Sequence, residues 1–203
     1  MEMQEDIVRR LQAVEDMIQI DKLQKIYGYY LDNGKFQEVI DLFSDDTESV
    51  EVGDRGVFRG KDGVRRFFWG YLGKEGKPRE AGDLAIHMQH QGVVDVAPDG
   101  QTAQGRWYCT MIQARPIEPG GPIRSVLGHG VYENDFVKEG GVWKYKKLFY
   151  ALHYRSPIAG GWAETPMIAA GQAPAFDEPP TAYHPYPNLQ LVPFHWKHPV
   201  TGK

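Results

Sequence analysis

The chain has 203 residues, about one domain's worth, and its 41% apolar and 25% charged composition is that of a globular protein with its own core. Lys and Arg total 23 against 27 Asp and Glu, a net charge of -4, which excludes a nucleic-acid or anionic-membrane binder driven by bulk charge. The single cysteine, Cys109, excludes an internal disulfide and a cysteine-built metal site.

No run approaches the roughly 18 apolar residues of a membrane span. The charged segment Met1 to Arg10 lacks the apolar stretch of an export signal, so a cytoplasmic location is expected. Aromatic residues make up 12%, which suits an aromatic-lined cavity, an oligomer interface, or a core that favours rings.

Ile7, Leu11, Val14 and Ile18 recur at helical spacing, and the stripe continues through Leu23, Ile26, Tyr27 and Tyr30 to the stop signal Asn33-Gly34. A further short helix carries Phe36, Val39, Ile40 and Phe43 and ends at Ser44-Asp45-Asp46. Residues 47–59 read as extended. Gly60-Lys61-Asp62-Gly63 then leads into a helix with Val64, Phe67, Phe68 and Tyr71 on one side.

From residue 84 the pattern becomes a meander of four strands, 84–96, 101–115, 123–138 and 142–155. Ala97-Pro98-Asp99-Gly100 and Glu139-Gly140-Gly141 mark tight turns, and Pro116 to Pro122 a longer loop. Alternation puts His87, Gln89, Gln91 and Asp95 on one face of the first strand, with Ile86, Met88, Val94 and Val96 on the other. In the second, Arg106, Tyr108 and Thr110 oppose Trp107, Cys109 and Met111. In the last, Trp143, Tyr145, Lys147 and Phe149 share a face.

Helices segregated from antiparallel strands indicate an α+β fold. No GxGxxG follows a strand and no Walker loop is present, so nucleotide binding has no support. Residues 151–203 hold nine of the fourteen prolines but six charged side chains, together with Trp162, Phe176, Tyr183, Tyr186, Phe194 and Trp196. This segment reads as an ordered arm on a domain of residues 1–150 or on a neighbouring subunit; a floppy tail is the alternative.

The run from Tyr27 through Asp32 and Phe43 to Asp46 resembles the N-terminal signature of SnoaL-like proteins in the NTF2-like superfamily. Phe58-Arg-Gly60-Lys-Asp-Gly-Val, His87, Gly100-Gln-Thr-Ala103, Gly130-Val-Tyr132 and Gly141-Val-Trp143-Lys-Tyr145 are further dispersed matches, within residues 5 to 152. The resemblance implies a cone-shaped α+β barrel in which a curved antiparallel sheet and N-terminal helices enclose a pocket. The superfamily includes dehydratases, isomerases, cyclases, cofactorless aromatic lyases and pure binding proteins, so fold does not settle function.

In similar dehydratases a Tyr and an Asp on the first helix face the pocket, and Tyr27 and Asp32 match them; a histidine at the strand position of His87 pairs with that Asp. A carboxylate that orients an imidazole and stabilises imidazolium makes a base for neutral pH. Asp32 also reads as a helix-ending turn aspartate, and His87 as a solvated strand residue. Tyr27 and Tyr30 could polarise a substrate oxygen or simply continue the apolar stripe. Lys147 among aromatics could stabilise a phenolate or enolate, or snorkel to water. Arg106, Tyr108, Trp143, Tyr145 and Phe149 are candidate substrate contacts, and His129 a second pocket imidazole by the same resemblance.

Together these residues imply a cofactor-independent lyase that dehydrates, or releases a small carbonyl such as formaldehyde from, a hydrophobic hydroxylated aromatic or polycyclic molecule. An isomerase, a polyketide cyclase and a noncatalytic binding module are the alternatives. No HxH, HExxH or GxSxG motif appears, so neither a metal nor a serine nucleophile is expected, and no cofactor. Aromatics on both sheet faces, and the oligomers of similar enzymes, imply a homo-oligomer, a trimer or a dimer.

Overall fold

The computed structural model describes residues 2–76, 82–116, 121–165, 168–188 and 191–203. A 31-residue helix, α1 (Glu2–Asp32), opens the chain. Its first 26 positions contain neither Gly nor Pro, and good helix formers keep it continuous. At its end Gly34 takes a left-handed φ of 68°, and Lys35 N–H reaches back to Tyr30 O at 2.8 Å. Short α2 (Phe36–Asp41) follows.

The face that α1 buries is not the aliphatic one. Ile7, Leu11, Val14 and Ile18 are 57%, 58%, 52% and 62% exposed, whereas Asp16, Ile20, Gln24, Tyr27 and Leu31 are buried. The reason is a set of sheet donors that select polar partners. Asp16 accepts from Lys138 Nζ (2.7 Å) and Trp143 Nε1 (2.9 Å). Gln24 Oε1 accepts from Tyr145 Oη (2.7 Å) and Asn134 Nδ2 (3.0 Å). Although burial acts against its charge, the hydrogen bonds from Lys138, Trp143 and Gln12 hold the Asp16 carboxyl below its ordinary value.

The extended stretch 47–59 is a hairpin, β1 (Ser49–Val52) and β2 (Val57–Arg59), turned by Gly53 and Gly56 at φ 58° and 97°. Helix α3 (Gly60–Arg65) continues as a π-helical segment over Arg66–Leu72 and buries Val64, Phe67 and Phe68. Then come the long strands β3 (Leu84–Val96), β4 (Thr102–Pro116), β5 (Ile123–Glu139) and β6 (Val142–Pro157), and a last short helix α4 (Gly161–Glu164). Most of the expected loop between β4 and β5 lies outside the described residues. No described helix is long and apolar enough to cross a membrane.

The six strands form one sheet in the order β2-β1-β6-β5-β4-β3. It is mixed rather than wholly antiparallel, because β1 runs parallel to β6. It is also unclosed, with β2 and β3 as edges, and α1 packs across β3 and β6. The α+β class of the sequence reading stands.

Two bulges invert the expected alternation, since one extra residue moves all later side chains to the other face. In β3 the register shifts between His90 and Val93, so Val94 and Val96 join His87 and Gln89, while Asp95 joins Ile86 and Met88. In β6 Phe136 opposes Tyr145 but Asp135 opposes Lys147. Trp143 and Tyr145 therefore face inward with Leu148, Tyr150 and Leu152, and Lys147 and Phe149 face outward. A third irregularity, at His153, turns Arg155 inward.

Strand β6 runs on to Pro157, so a division at residue 150 would fall inside it. The described part of the following segment packs on the same chain. Thr181 donates its N–H (2.6 Å) and hydroxyl to the buried Glu51 carboxylate, and Arg59 pairs with Glu178 at 2.8 Å. Farther on, Arg106 donates to Pro193 O at 3.1 Å and lies over the Phe194 ring, and His195 contacts Glu133.

Candidate active site

A cavity of about 420 Å³ opens between the inner sheet face, the end of α1 and the helix after α3. Its apolar walls are Leu31, Phe36, Phe67, Tyr71, Leu72, Val52, Met111 and Leu152. Strand β5 contributes Gly128 and Gly130 at inward positions. A Cβ on Gly130 would stand 2.5 Å from the Tyr150 hydroxyl, and one on Gly128 2.5 Å from Met111 Cε. The two glycines thus let neighbouring side chains lie over the sheet floor.

His87 lines this cavity. Its Nδ1 lies 2.6 Å from Asp32 Oδ1, and its backbone N–H donates to Asp32 Oδ2 at 3.1 Å. Both side chains are largely buried, at 10% and 16% exposure. An ionised Asp32 can only accept, so the ring donates Nδ1–H and Nε2 carries the lone pair. Asp32 occupies the last turn of α1, and the chain reversal at Gly34 leaves its carboxylate free to face β3.

Three phenols cluster along the same cavity wall, and the Asp32 charge acts on the first of them, Tyr27. Tyr27 stands edge-on to Tyr132, with ring centroids 5.9 Å apart, and Tyr132 lies 4.5 Å from Tyr150. Burial pushes all three phenols well above their ordinary pKa, so they remain protonated donors. Burial likewise raises the Cys109 thiol, with the Asp32 charge adding to it.

Half of the described buried side-chain atoms without a hydrogen-bond partner belong to cavity residues: Tyr150 Oη, Gln113 Oε1 and Arg55 Nε, out of six. Native interiors seldom leave such groups unpaired, and here three of the six belong to residues that line one cavity. Arg155, Lys74 and Asp83 complete the polar lining. Among the described residues, no group of three or more His, Cys, Asp and Glu side chains could hold a metal ion.

The remaining expected site residues lie elsewhere. Tyr30 is half-buried and packs against the core outside the cavity lining. Trp143 and Tyr145 face inward but are tied to Asp16 and Gln24, away from the cavity. The bulge in β6 turns Lys147 and Phe149 to the outer face, where the ammonium sits 5.8 Å from the Phe149 ring centroid. Arg106, Tyr108 and His129 also face outward, Arg106 beneath the C-terminal segment.

On that outer face His129 Nδ1 lies 3.0 Å from His153 Nδ1. Burial, with the charges of His129 and Arg106, lowers the His153 pKa to about 4. His129 is lowered in the same sense by burial and His90.

Sequence reasoning missed Tyr132 as a site residue, and Tyr150, Gln113, Arg55 and Arg155 entirely. Tyr132 could have been found from the inward register of Gly128 and Gly130, four positions and two positions before it. Arg55 could have been found as an arginine flanked by turn glycines in an otherwise apolar stretch.

In fold the chain is similar to a Novosphingobium aromaticivorans protein named as a candidate scytalone dehydratase, at 20% identity over 72% of this chain and 89% of that one, with TM-score 0.59. It is similar also to the hexachlorocyclohexane dehydrochlorinase LinA-type3 of Novosphingobium barchaimii, at 19% identity over 75% and 97%, TM-score 0.58. A third is an NTF2-like protein with a cystatin-like fold from N. aromaticivorans, at 17% identity over 79% and 93%, TM-score 0.53. No curated protein matches in sequence. The model of the SnoaL-like domain family matches residues 12–148, from within α1 to within β6 and well over half the chain, and the chain belongs to that family.

Proposed function

We propose that the protein is a cofactor-independent lyase that removes water, or a small carbonyl fragment, from a hydrophobic hydroxylated aromatic or polycyclic molecule. The observation that carries this reading is the His87–Asp32 pair set at the wall of an apolar cavity beside protonated phenols. His87 Nε2 removes a proton from carbon, and Asp32 stabilises the imidazolium that forms. The C–H electrons become the new double bond as the C–O bond breaks. Imidazolium or a phenol protonates the departing oxygen, which leaves as water. When imidazolium is the donor, that transfer returns His87 to its neutral form and the cycle closes.

The same base in a retro-aldol step would take the proton of a hydroxyl; the adjacent C–C bond breaks to release an aldehyde, its electrons stay on the other carbon, and imidazolium returns the proton to that carbon. The structural neighbours named as dehydratase and dehydrochlorinase lend support, since both names denote eliminations. The test is incubation of candidate hydroxylated aromatics with the purified protein without added cofactor, followed by mass spectrometry. Loss of water or formaldehyde that vanishes in His87→Ala is the expected result. An isomeric product of unchanged mass would instead favour an isomerase. Efficient turnover by His87→Ala would remove the proposal.

A further inference from the structure

We infer that the substrate carries a carboxylate, and that Arg55 and Arg155 form its binding subsite at the end of the cavity away from His87. The inference rests on the cavity being the substrate site. The cation at that end is costly to bury, because a guanidinium withdrawn from water needs a partner. Arg55 Nη1 donates to Val52 O at 3.4 Å and lies 3.6 Å from Oδ1 of its counter-ion Asp54, both at the long end for such contacts. The other Asp54 oxygen is taken by the N–H groups of Ala170 and Gly171, at 2.6 and 2.7 Å. Arg55 Nε remains a buried donor without a partner, as does the Tyr150 hydroxyl. The Arg55 charge acts on the hydroxyls of both Tyr27 and Tyr150.

Both arginines are held in place by one stretch of the C-terminal segment. Ile168 N–H donates to Arg155 O at 2.8 Å, and Arg155 Nε donates back to Ile168 O at 3.1 Å. Ala173 N–H donates to Arg55 O at 3.0 Å. Such anchoring lowers the ordering cost of gripping a ligand. The charged side chains lining the cavity are Arg55, Arg155, Lys74 and Asp83, three cations to one anion, with Asp54 beside Arg55 as its counter-ion. A planar guanidinium matches a carboxylate in a two-pronged hydrogen bond.

The sheet register sets the distance between the two ends. His87 opposes Met111, Met111 opposes Gly128, and Gly128 opposes Arg155, so base and cation share one cross-strand row. Three strand spacings amount to roughly 14 Å between their backbones. The middle of the row is Met111 and a glycine, which leaves a ring-sized apolar space. An aromatic carboxylate therefore seats its anion at the arginines and presents the carbon chain to His87.

The test uses two probes of one shape, 3-phenylpropionate and 3-phenylpropan-1-ol, titrated into the full-length protein by calorimetry. The carboxylate is expected to bind at least about tenfold more tightly than the alcohol, the range for hydrogen bonds to charged groups. That preference should fall at least about fivefold in Arg55→Met and in Arg155→Met, and persist in His87→Ala. Equal affinity for acid and alcohol in the wild-type protein, or no saturable carboxylate binding, overturns the inference, as does a preference unchanged in both methionine variants. Because these titrations involve no turnover, they can fail while the elimination chemistry stands. They can equally succeed when His87→Ala retains turnover and the lyase reading is lost.

Discussion

Replacing Asp32 by Asn keeps the size of the side chain and exchanges one acceptor for a donor. The wild-type carboxylate accepts twice from His87, once from Nδ1 at 2.6 Å and once from the backbone N–H at 3.1 Å. An amide has one oxygen for these two positions. If that oxygen faces the ring, its NH₂ meets the backbone N–H, donor against donor. If it faces the backbone, the NH₂ donates to Nδ1, and both contacts are satisfied only when the ring proton sits on Nε2. Asn therefore selects the tautomer that has no lone pair toward the substrate, and it carries no charge to stabilise imidazolium. Loss of a positioned base is worth about 10² to 10⁴ in rate, or about 2.7 to 5.4 kcal/mol in the barrier. Both hydrogen bonds survive in neutral form, so the stability cost stays near 1 kcal/mol, about 2 to 4 °C in Tm for a chain of this size. Nitrogen-15 NMR of the His87 ring reads the tautomer without a substrate, and turnover reads the rate. An Asp32→Asn protein that keeps the Nδ1–H tautomer, or full turnover, refutes the reasoning.

Tyr150→Phe removes a buried hydroxyl that has no partner, so Tm should hold or rise while turnover falls about tenfold or more; a drop in Tm would show that the hydroxyl is structural. Lys138→Met strands the Asp16 carboxylate, 2.7 Å away, and should cost about 3 kcal/mol in urea unfolding with the rate constant of the folded enzyme unchanged. The His153 pKa of about 4 lies below the ordinary 6.5, so the unfolded chain takes up the proton first as pH falls. Stability should therefore decline from about pH 6.5 toward pH 4, with a shallower slope in His153→Gln, read from urea midpoints across that range. The exposed stripe Ile7, Leu11, Val14 and Ile18 should draw the chain into a homo-oligomer, and light scattering that gives one chain mass of 23.0 kDa at micromolar concentration refutes this.

What the sequence made legible depends on how local each signal is. The end of α1 at Asn33-Gly34 is a glycine in a left-handed turn, a signal carried by one residue, and it was readable. The strands and their turns were readable for the same reason. The pairing of Asp32 with His87 spans 55 positions, and only the family resemblance suggested it. The buried face of α1 was misread because Asp16 and Gln24 look like surface residues until Lys138, Trp143, Tyr145 and Asn134 are placed opposite them. Aliphatic periodicity finds the face that avoids water, which in a single copy of this chain is not the face turned to the sheet.

The bulges account for most of the misplaced site residues. Counted without a bulge, Lys147 and Phe149 follow Tyr145 inward, and Val94 leaves the side of His87. One extra residue in each strand reverses both assignments and brings Tyr150 and Leu152 to the cavity. In β3 the sequence does hold a sign of this, Gly92 in the middle of a strand. A Cβ there would stand 2.2 Å from Trp107 Nε1, which donates to Asp21 Oδ1 at 3.0 Å. The glycine makes room for a hydrogen bond between sheet and helix, and the bulge beside it keeps His87 and Val94 on one inward face. Nothing comparable marks β6, where the bulge falls within Lys144-Tyr145-Lys146-Lys147. There the inward choice is made by packing, since Leu148 and Tyr150 fill the core while the lysines beside them reach water.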